Sequence, residues 1–203
     1  MSQKNTGIHR LLSSPLLYSL FQTIMSGFNI RKKIVKEIIR KKNANILDIG
    51  CGPAEILEFL PKSKYYGYDT NKKYISYAKL KYGDKGKFFC KKFTSKEIKK
   101  LPKFDYVLFL GIMHHLNDFE LNRLLNFSEK AIKKGGKLVT LDPIFIKNQN
   151  AFARFIIDSD RGKNIRTERQ YKKLIKKKFN KINSKIIHQK FIPYTWFSTV
   201  SEK

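Results

Sequence analysis

The sequence feature that most constrains the fold is a short apolar segment, residues 45–49, that leads directly into a turn containing two glycines and a proline. A short apolar run bounded by turn signals is typical of a buried strand, and residues 54–60 after the turn have the pattern of a helix that ends at Pro61. A strand, a glycine turn and a helix in this order open a parallel sheet. We therefore expect an α/β fold.

The same alternation continues along the chain. Further strands are predicted at residues 65–68, 87–90, 104–110 and 137–141, and helices at 72–82, 119–132 and 167–179. Strands that alternate with helices predict a doubly wound, mostly parallel sheet. Two last strand candidates, residues 181–188 and 194–200, predict an antiparallel C-terminal hairpin at the sheet edge. Apolar residues with helical spacing before residue 40 predict two N-terminal helices.

The length of the chain limits the number of domains it can form, and its charge is consistent with several kinds of partner. It has 203 residues, enough for one α/β domain and too few for two ordinary ones. Its formal net charge of +27 suggests nucleic acid or an anionic membrane surface as a partner. Lysine pairs are spread along the whole chain, however, and a composition rich in lysine, isoleucine and asparagine also results from A- and T-rich codons. We favour this second explanation.

The cysteines and the apolar segments exclude several classes of protein. Cys51 and Cys90 lack the spacing of a metal site or of a disulfide framework, so we expect no metal. No uninterrupted apolar run approaches the roughly 20 residues that span a bilayer, and no cleavage pattern follows the N-terminal apolar stretch. We expect a cytoplasmic protein, and peripheral contact with a membrane stays open.

Two acids in this pattern indicate a site for adenosine. Asp48 comes just before the glycine turn, and Asp69 lies at the tip of the next predicted strand, where a carboxylate can accept hydrogen bonds from both ribose hydroxyls. Glu55 stands where a dinucleotide fingerprint needs glycine or alanine, and Asp48 would repel a pyrophosphate. A ligand with a positively charged amino group suits the turn better. The alternative is an ordinary tight turn with a surface acid.

These residues resemble the class I S-adenosylmethionine-dependent methyltransferases over about residues 45–143, with further similarity at residues 104–107, 111–116 and 134–138. The resemblance implies a Rossmann-like sheet of seven strands. It also implies S-adenosylmethionine as the cofactor and S-adenosylhomocysteine as its product. The expected single domain has N-terminal cap helices at 1–43, a cofactor-binding core at 44–143, a lid or acceptor-binding insertion at 144–166, and a final helix and hairpin at 167–203.

The resemblance also implies roles for particular residues. The first motif would hold the amino-acid part of the cofactor, and Asp69 would hold its ribose. The implied cofactor-binding residues are Tyr18, Phe21 and Gln22 of the N-terminal cap, together with Asp48, Gly50, Cys51, Gly52, Asp69, Thr70, Phe93 and Gly111. Family members often have an acid after the third strand that contacts the adenine, but this chain has Lys91 and Lys92 there. We therefore expect backbone groups and stacking by Phe93 to hold the adenine.

Histidines after the fourth predicted strand are the candidate catalytic residues. His114 and His115 lie where ligands bind in open α/β sheets, and histidine exchanges a proton near neutral pH. In the alternative interpretation, one histidine packs against the cofactor and the other makes a structural hydrogen bond. Asp142, at the end of the fifth predicted strand, could orient an acceptor or cap a turn before Pro143.

The segment before the last helix contains a group of charges: Asp158, Asp160, Arg161 and Arg166. Arginine binds carboxylates and phosphates through two hydrogen bonds, so this group indicates either an anionic acceptor or, as we favour, a structural network. Tyr194 and Trp196 could line an acceptor pocket or belong to the core.

Three functions are consistent with the sequence. We expect a methyltransferase that acts on a small molecule, a saccharide or a lipid-linked precursor. The alternatives are methylation of RNA or DNA, which the charge favours, and a scaffold that binds the cofactor without catalysis. Amino-methylating nucleic-acid enzymes often carry an Asn/Asp-Pro-Pro-aromatic signature after the fourth strand, and residues 111–114 do not match it.

Overall fold

The computed structural model describes residues 27–158, 162–188 and 194–203. The predicted N-terminal cap residues Tyr18, Phe21 and Gln22 lie outside this part of the chain. Asp160 and Arg161 of the charge group also lie outside it. No helix within the described ranges is long and apolar enough to cross a bilayer.

Helices and strands alternate over most of the described chain. The helices are α1 (Gly27–Ile38), α2 (Lys72–Tyr82), α3 (Ser95–Ile98), α4 (Asp118–Ala131), α5 (Ala151–Asp158) and α6 (Glu168–Ile175), with 3₁₀ turns at Glu55–Phe59 and Met113–His115. The strands are β1 (Ala44–Ile49), β2 (Ser63–Asp69), β3 (Gly86–Cys90), β4 (Phe104–Leu110), β5 (Ile132–Phe145), β6 (Arg166–Thr167), β7 (Lys181–His188) and β8 (Thr195–Glu202).

One sheet connects these strands in the order β3-β2-β1-β4-β5-β8-β7, and the two-residue β6 pairs with β5 beside this path. Strands β1 to β5 pair in parallel, whereas β8 runs antiparallel to both β5 and β7. The predicted doubly wound, mostly parallel sheet with an antiparallel C-terminal hairpin is therefore confirmed. The strand order reverses between β1 and β4, and ligands of open α/β sheets bind at the carboxyl ends of the strands at such a point.

Apolar side chains fill both faces of the sheet. One core contains Phe104, Phe109 and Phe197, and the other contains Ile34, Ile46 and Val139. Burial on both faces explains why β1 and β4 are mostly apolar in the sequence, although each contains one acid, Asp48 and Asp105. Tyr194 and Trp196 are also buried, with 3% and 5% of their surface exposed, and they belong to the second core.

The structure departs from the predicted elements at several places, among them the helix predicted at 167–179, which is α6 (Glu168–Ile175). The predicted helix after the glycine turn is one 3₁₀ turn, Glu55–Phe59. Strand β5 runs through the glycine pair at 135–136, which was expected to precede the strand. A register shift beside Phe104 accommodates this pair, and a side chain at Gly136 would lie 3.0 Å from the carbonyl oxygen of Phe104. Position 136 of β5 therefore needs glycine, because the backbones of β4 and β5 approach too closely there for a side chain.

Candidate active site

The glycine turn after β1 forms one wall of a cleft at the carboxyl ends of the central strands. Gly50 and Gly52 have φ values of +75° and +55°, in the left-handed region that glycine adopts without strain. A Cβ at Gly50 would lie 2.8 Å from Cδ1 of Ile112, in the loop after β4. The turn therefore needs glycine for its conformation and for close packing against the neighbouring loop.

Asp69 closes the turn at the end of β2. Its carboxylate accepts a hydrogen bond from the backbone N–H of Gly52 (3.0 Å) and another from that of Asn71 (2.8 Å). Asn71 in turn caps α2, since its side chain accepts from the N–H groups of Lys73 and Tyr74. These bonds hold the Asp69 side chain at the mouth of the cleft, beside the glycine turn.

Most of the predicted cofactor-binding residues line this one cleft. They are Gly50, Gly52, Asp69, Thr70, Phe93 and Gly111. His115 lines the same cleft from the loop after β4. The Phe93 ring is 5% exposed and packs edge-on against Tyr68, with ring centroids 5.2 Å apart. The sequence placed these residues at one end of the sheet, and the fold brings them around a common space.

Asp48 and Cys51, also predicted to bind the cofactor, line a smaller cavity that shares Gly50 with the cleft. The Asp48 carboxylate is 2% exposed and accepts a hydrogen bond of 2.7 Å from the hydroxyl group of Tyr65. Its other oxygen, Oδ1, has no hydrogen-bond partner within the described ranges. Arg31 of α1 lines the same small cavity. A buried carboxylate and a guanidinium therefore lie together beside the glycine turn.

Burial raises the pKa of Asp48 to about 7, and the Tyr65 hydrogen bond and the positive charge of Arg31 oppose this rise. The folded protein then holds a proton that the unfolded chain loses above its ordinary pKa of 3.8. The protonated Asp48 therefore adds to the free energy of unfolding at low pH. This contribution falls as the pH rises from 3.8 towards about 7, by at most about 1.4 kcal/mol per pH unit.

We expect Asp48→Asn to reduce this pH dependence, because the amide can still accept from Tyr65 and does not titrate. The measurement is the free energy of unfolding by urea between about pH 5 and about pH 8. Asp84→Asn is the control, since Asp84 is exposed. An unchanged slope in the Asp48 variant would contradict the assignment of this titration to Asp48.

The two candidate catalytic histidines have different surroundings. His114 is buried, and its Nδ1 lies 2.6 Å from Oδ1 of Asp142, which also accepts from the His114 backbone N–H. Burial raises the pKa of the Asp142 carboxyl group, and the hydrogen bond from His114 opposes this rise. Gly162 packs against the His114 ring, where a side chain would collide. The fold thus encloses His114, whereas half-buried His115 reaches the cleft, with the two ring centroids 4.0 Å apart.

Arg166, on β6, anchors the loop that carries these histidines. Its guanidinium donates to the backbone carbonyl groups of Met113, Leu116 and Asn164 at 3.1, 2.8 and 2.8 Å. It also donates to the carboxylate of Asp118 through two nitrogens, at 3.0 and 2.7 Å. A structural arginine network is thus present. Its acid is Asp118, which the sequence did not indicate.

The other described acid of the predicted charge group has a different partner. The carboxylate of Asp158 lies 3.9 Å from Nε of Arg154 within α5. This separation is at the outer limit of an ion pair, and both side chains are more than half exposed. Within the described chain, Asp158 and Arg166 therefore have different partners, because the fold directs Arg166 to the loop after β4.

We expect Arg166→Gln to lower the free energy of unfolding by about 3 kcal/mol, because the loop carbonyl groups lose a buried charged donor. Urea denaturation measures the change. Arg169→Gln, three residues further on and exposed, is the control and should change stability by less than about 0.5 kcal/mol. Equal stabilities of the two variants would show that the network contributes nothing measurable.

Comparison with known proteins finds a family whose model matches part of the chain. A family model described as a methyltransferase domain matches residues 47–138, from β1 into β5. These residues include the glycine turn, Asp69 and the loop after β4. A curated relative, the ubiquinone biosynthesis O-methyltransferase of Pelagibacter ubique (strain HTCC1062), is 33% identical over a 127-residue alignment that covers 55% of this chain. The chain matches only about half of this relative, 52% of its length.

Solved methyltransferases share the fold. An S-adenosylmethionine-dependent methyltransferase from Archaeoglobus fulgidus superposes with a TM-score of 0.70 at 17% identity, covering 92% of this chain and 99% of that one. A Haemonchus contortus phosphoethanolamine N-methyltransferase, solved with phosphomonomethylethanolamine and S-adenosylhomocysteine, gives 0.67 at 15% identity, covering 87% of this chain and 52% of that one. At these identities the likeness establishes the fold alone.

One candidate site residue was missed in the sequence. Arg31 lies on the inward face of α1, in register with the buried residues Ile34 and Val35. A cation at an apolar position of an amphipathic helix was the signal that could have found it. Its Nη2 atom lies 2.9 Å from the position of a Cβ at Gly111, so Arg31 reaches from α1 across to the loop after β4.

Proposed function

We propose that this chain is a class I S-adenosylmethionine-dependent methyltransferase and that it transfers the methyl group to a hydroxyl group of a small organic acceptor. The observation that carries the proposal is that Asp69, a carboxylate suited to ribose, and His115, a group able to accept a proton, line one cleft at the switch point of the sheet. The O-methyltransferase name of the 33% identical relative supports the choice of oxygen as the acceptor atom.

The described residues fit the cofactor. We assign the binding of the ribose hydroxyls to the Asp69 carboxylate. We also propose that Gly50 and Gly52 let the backbone approach the cofactor closely. The amino-acid part of S-adenosylmethionine carries an ammonium group and a carboxylate. Asp48 and Arg31 supply the complementary charges in the small cavity that shares Gly50 with the cleft. The unpartnered Oδ1 atom of Asp48 is consistent with this assignment, since an ammonium group would satisfy it.

S-adenosylmethionine supplies a methyl group that is already activated by the positive charge on sulfur, so the chain mainly aligns the reactants and excludes water. We assign the removal of the acceptor's hydroxyl proton to His115, because it is the histidine that reaches the cleft. His114 and Asp142 act as positioning residues in this assignment. Their hydrogen bonds connect the loop after β4 to β5, and Arg166 holds the same loop from the other side.

A competition assay tests the function. The protein is incubated with S-adenosylmethionine carrying a labelled methyl group and with matched acceptors: a catechol, an aromatic amine of the same size, and transfer RNA. We expect mass spectrometry to find the label on the catechol oxygen. Label on the amine alone would contradict the choice of oxygen, and label on RNA alone would support the nucleic-acid alternative. If the protein fails to bind the cofactor at all, the proposal is wrong and the scaffold interpretation is favoured.

A further inference from the structure

A second concave surface lies away from the cleft, between α6, the end of β5 and β7. We call it the basic groove. Five of its lining residues are cationic: Lys147, Arg169, Lys172, Lys173 and Lys176. The groove is separate from the proposed cofactor site, because neither the cleft nor the small cavity beside the glycine turn includes any of these residues.

Few negative charges balance these cations. Glu168 is the one acid that lines the groove, and it forms an ion pair with Lys172 one helical turn away. Within the described chain, no carboxylate lies within ion-pair distance of the other four cations. The groove therefore keeps a strong positive potential, which attracts a surface that carries many negative charges.

The floor of the groove is apolar and mainly aliphatic. Ile146 and Ile186 lie there, and Ile186 is one of three large apolar residues exposed in the described chain, at 37%. The third floor residue is Phe145, and the guanidinium of Arg154 lies over its ring, 5.2 Å from the centroid. Single-stranded nucleic acid binds by stacking successive bases on several aromatic faces, whereas Phe145 is the one aromatic ring that lines this groove, and a guanidinium already lies over it. An aliphatic floor with cations around it fits an amphiphile instead.

The helix beside the groove is fixed in the fold. Tyr171, Leu174 and Ile175 form the apolar face of α6 and are buried in the core. Helix α6 therefore exposes its cationic face. It cannot rotate to insert its apolar face into a bilayer, because that face is packed in the core. This geometry fits binding to a charged surface whose headgroups enter the groove.

We propose that the basic groove binds the surface of an anionic phospholipid bilayer. The lipid phosphates pair with the cations of α6 and with Lys147, while Ile146 and Ile186 contact the apolar part of a lipid that enters the groove from the bilayer. Strand β5 connects the groove to the loop that carries the histidines, since it runs from Asp142, beside His114, to Phe145 in the groove. Binding at the groove does not depend on the proposed methyl transfer.

The test is co-sedimentation of the full chain with vesicles made of equal parts phosphatidylglycerol and phosphatidylcholine, with pure phosphatidylcholine as the uncharged reference. We expect binding to the anionic vesicles only. Replacing Arg169, Lys173 and Lys176 together by glutamine should weaken it on the order of a hundredfold, at roughly fivefold for each cation. Lys172 stays in place because it pairs with Glu168. A wild-type chain that does not bind anionic vesicles overturns the proposal.

Matched controls separate the groove from the overall charge. Replacing Lys62, Lys64 and Lys79 by glutamine removes the same charge from exposed positions away from the groove, and we expect it to weaken binding far less. Equal losses in the two triple variants would overturn the proposal, because net charge alone would then account for binding. Ile186→Ser should also weaken vesicle binding severalfold, whereas Leu80→Ser, at an 89% exposed residue outside the groove, should not.

An RNA arm distinguishes the competing class of partner. The affinity of the wild-type chain and of both triple variants for single-stranded oligouridine is measured under the same salt conditions, because both kinds of binding depend strongly on salt. We expect both triple variants to lose RNA affinity to the same extent. If the groove variant loses RNA affinity selectively and keeps its affinity for vesicles, the groove is a nucleic-acid site and the bilayer proposal is wrong.

Discussion

Replacing Asp69 with alanine is expected to weaken the binding of S-adenosylmethionine by about a hundredfold or more. The change removes a charged acceptor for two ribose hydroxyls, and a hydrogen bond to a charged group contributes about 1.5–3 kcal/mol. It also removes the bond from the Gly52 N–H group that holds the glycine turn. Isothermal titration calorimetry with the cofactor measures the loss directly, without any acceptor.

Two further variants make this result specific. Asp69→Asn keeps one acceptor oxygen and should give an intermediate affinity. Asp84→Ala removes an exposed acid that lies after α2, and it should leave the affinity unchanged. If Asp69→Ala binds the cofactor within about threefold of the wild-type chain, Asp69 does not hold the ribose.

Replacing His115 with alanine is expected to lower kcat by about 10²–10⁴-fold, the usual contribution of a general base. The binding of S-adenosylmethionine should change little, because the assigned ribose and glycine contacts remain. The loss should shrink at high pH, where the acceptor hydroxyl group ionises without help. Steady-state kinetics as a function of pH, on the acceptor found by the labelling assay, measures both effects.

His188→Ala is the matched control for the histidine substitution. His188 is exposed at the end of β7 and should have no effect on kcat. A His115 variant with normal kcat would remove His115 from the proposed mechanism. The labelling assay would still decide the acceptor atom, so failure of the base assignment can be distinguished from failure of the proposed function.

Much of the fold could be predicted from local sequence patterns. The bounds of α2 and β4 agree with the prediction, because α2 ends before a glycine and β4 is a largely apolar run. The 3₁₀ turn after β1 and the long β5 could not be predicted in the same way. The length of β5 depends on how closely its backbone approaches that of β4, and this distance is set by strands that are far apart in the sequence.

The candidate site, like the fold, could be predicted from the sequence only in part. The glycine turn and Asp69 follow from their positions at strand ends, since parallel strands bring their carboxyl ends to one edge of a sheet. The different surroundings of His114 and His115 do not follow from the sequence, because the two residues are adjacent and chemically identical. Asp142, 28 residues away, and Gly162 enclose one of them and leave the other at the cleft.

The sequence by itself determined the doubly wound sheet, its hairpin edge and the resemblance to a methyltransferase, because these depend on periodicity and on short motifs. Only the tertiary structure decided that Asp48 and Arg31 share a cavity, that Arg166 binds the loop after β4, and that five cations surround an aliphatic floor. Such groupings join residues from distant segments. Their energies depend on distance and burial, which a linear sequence does not specify.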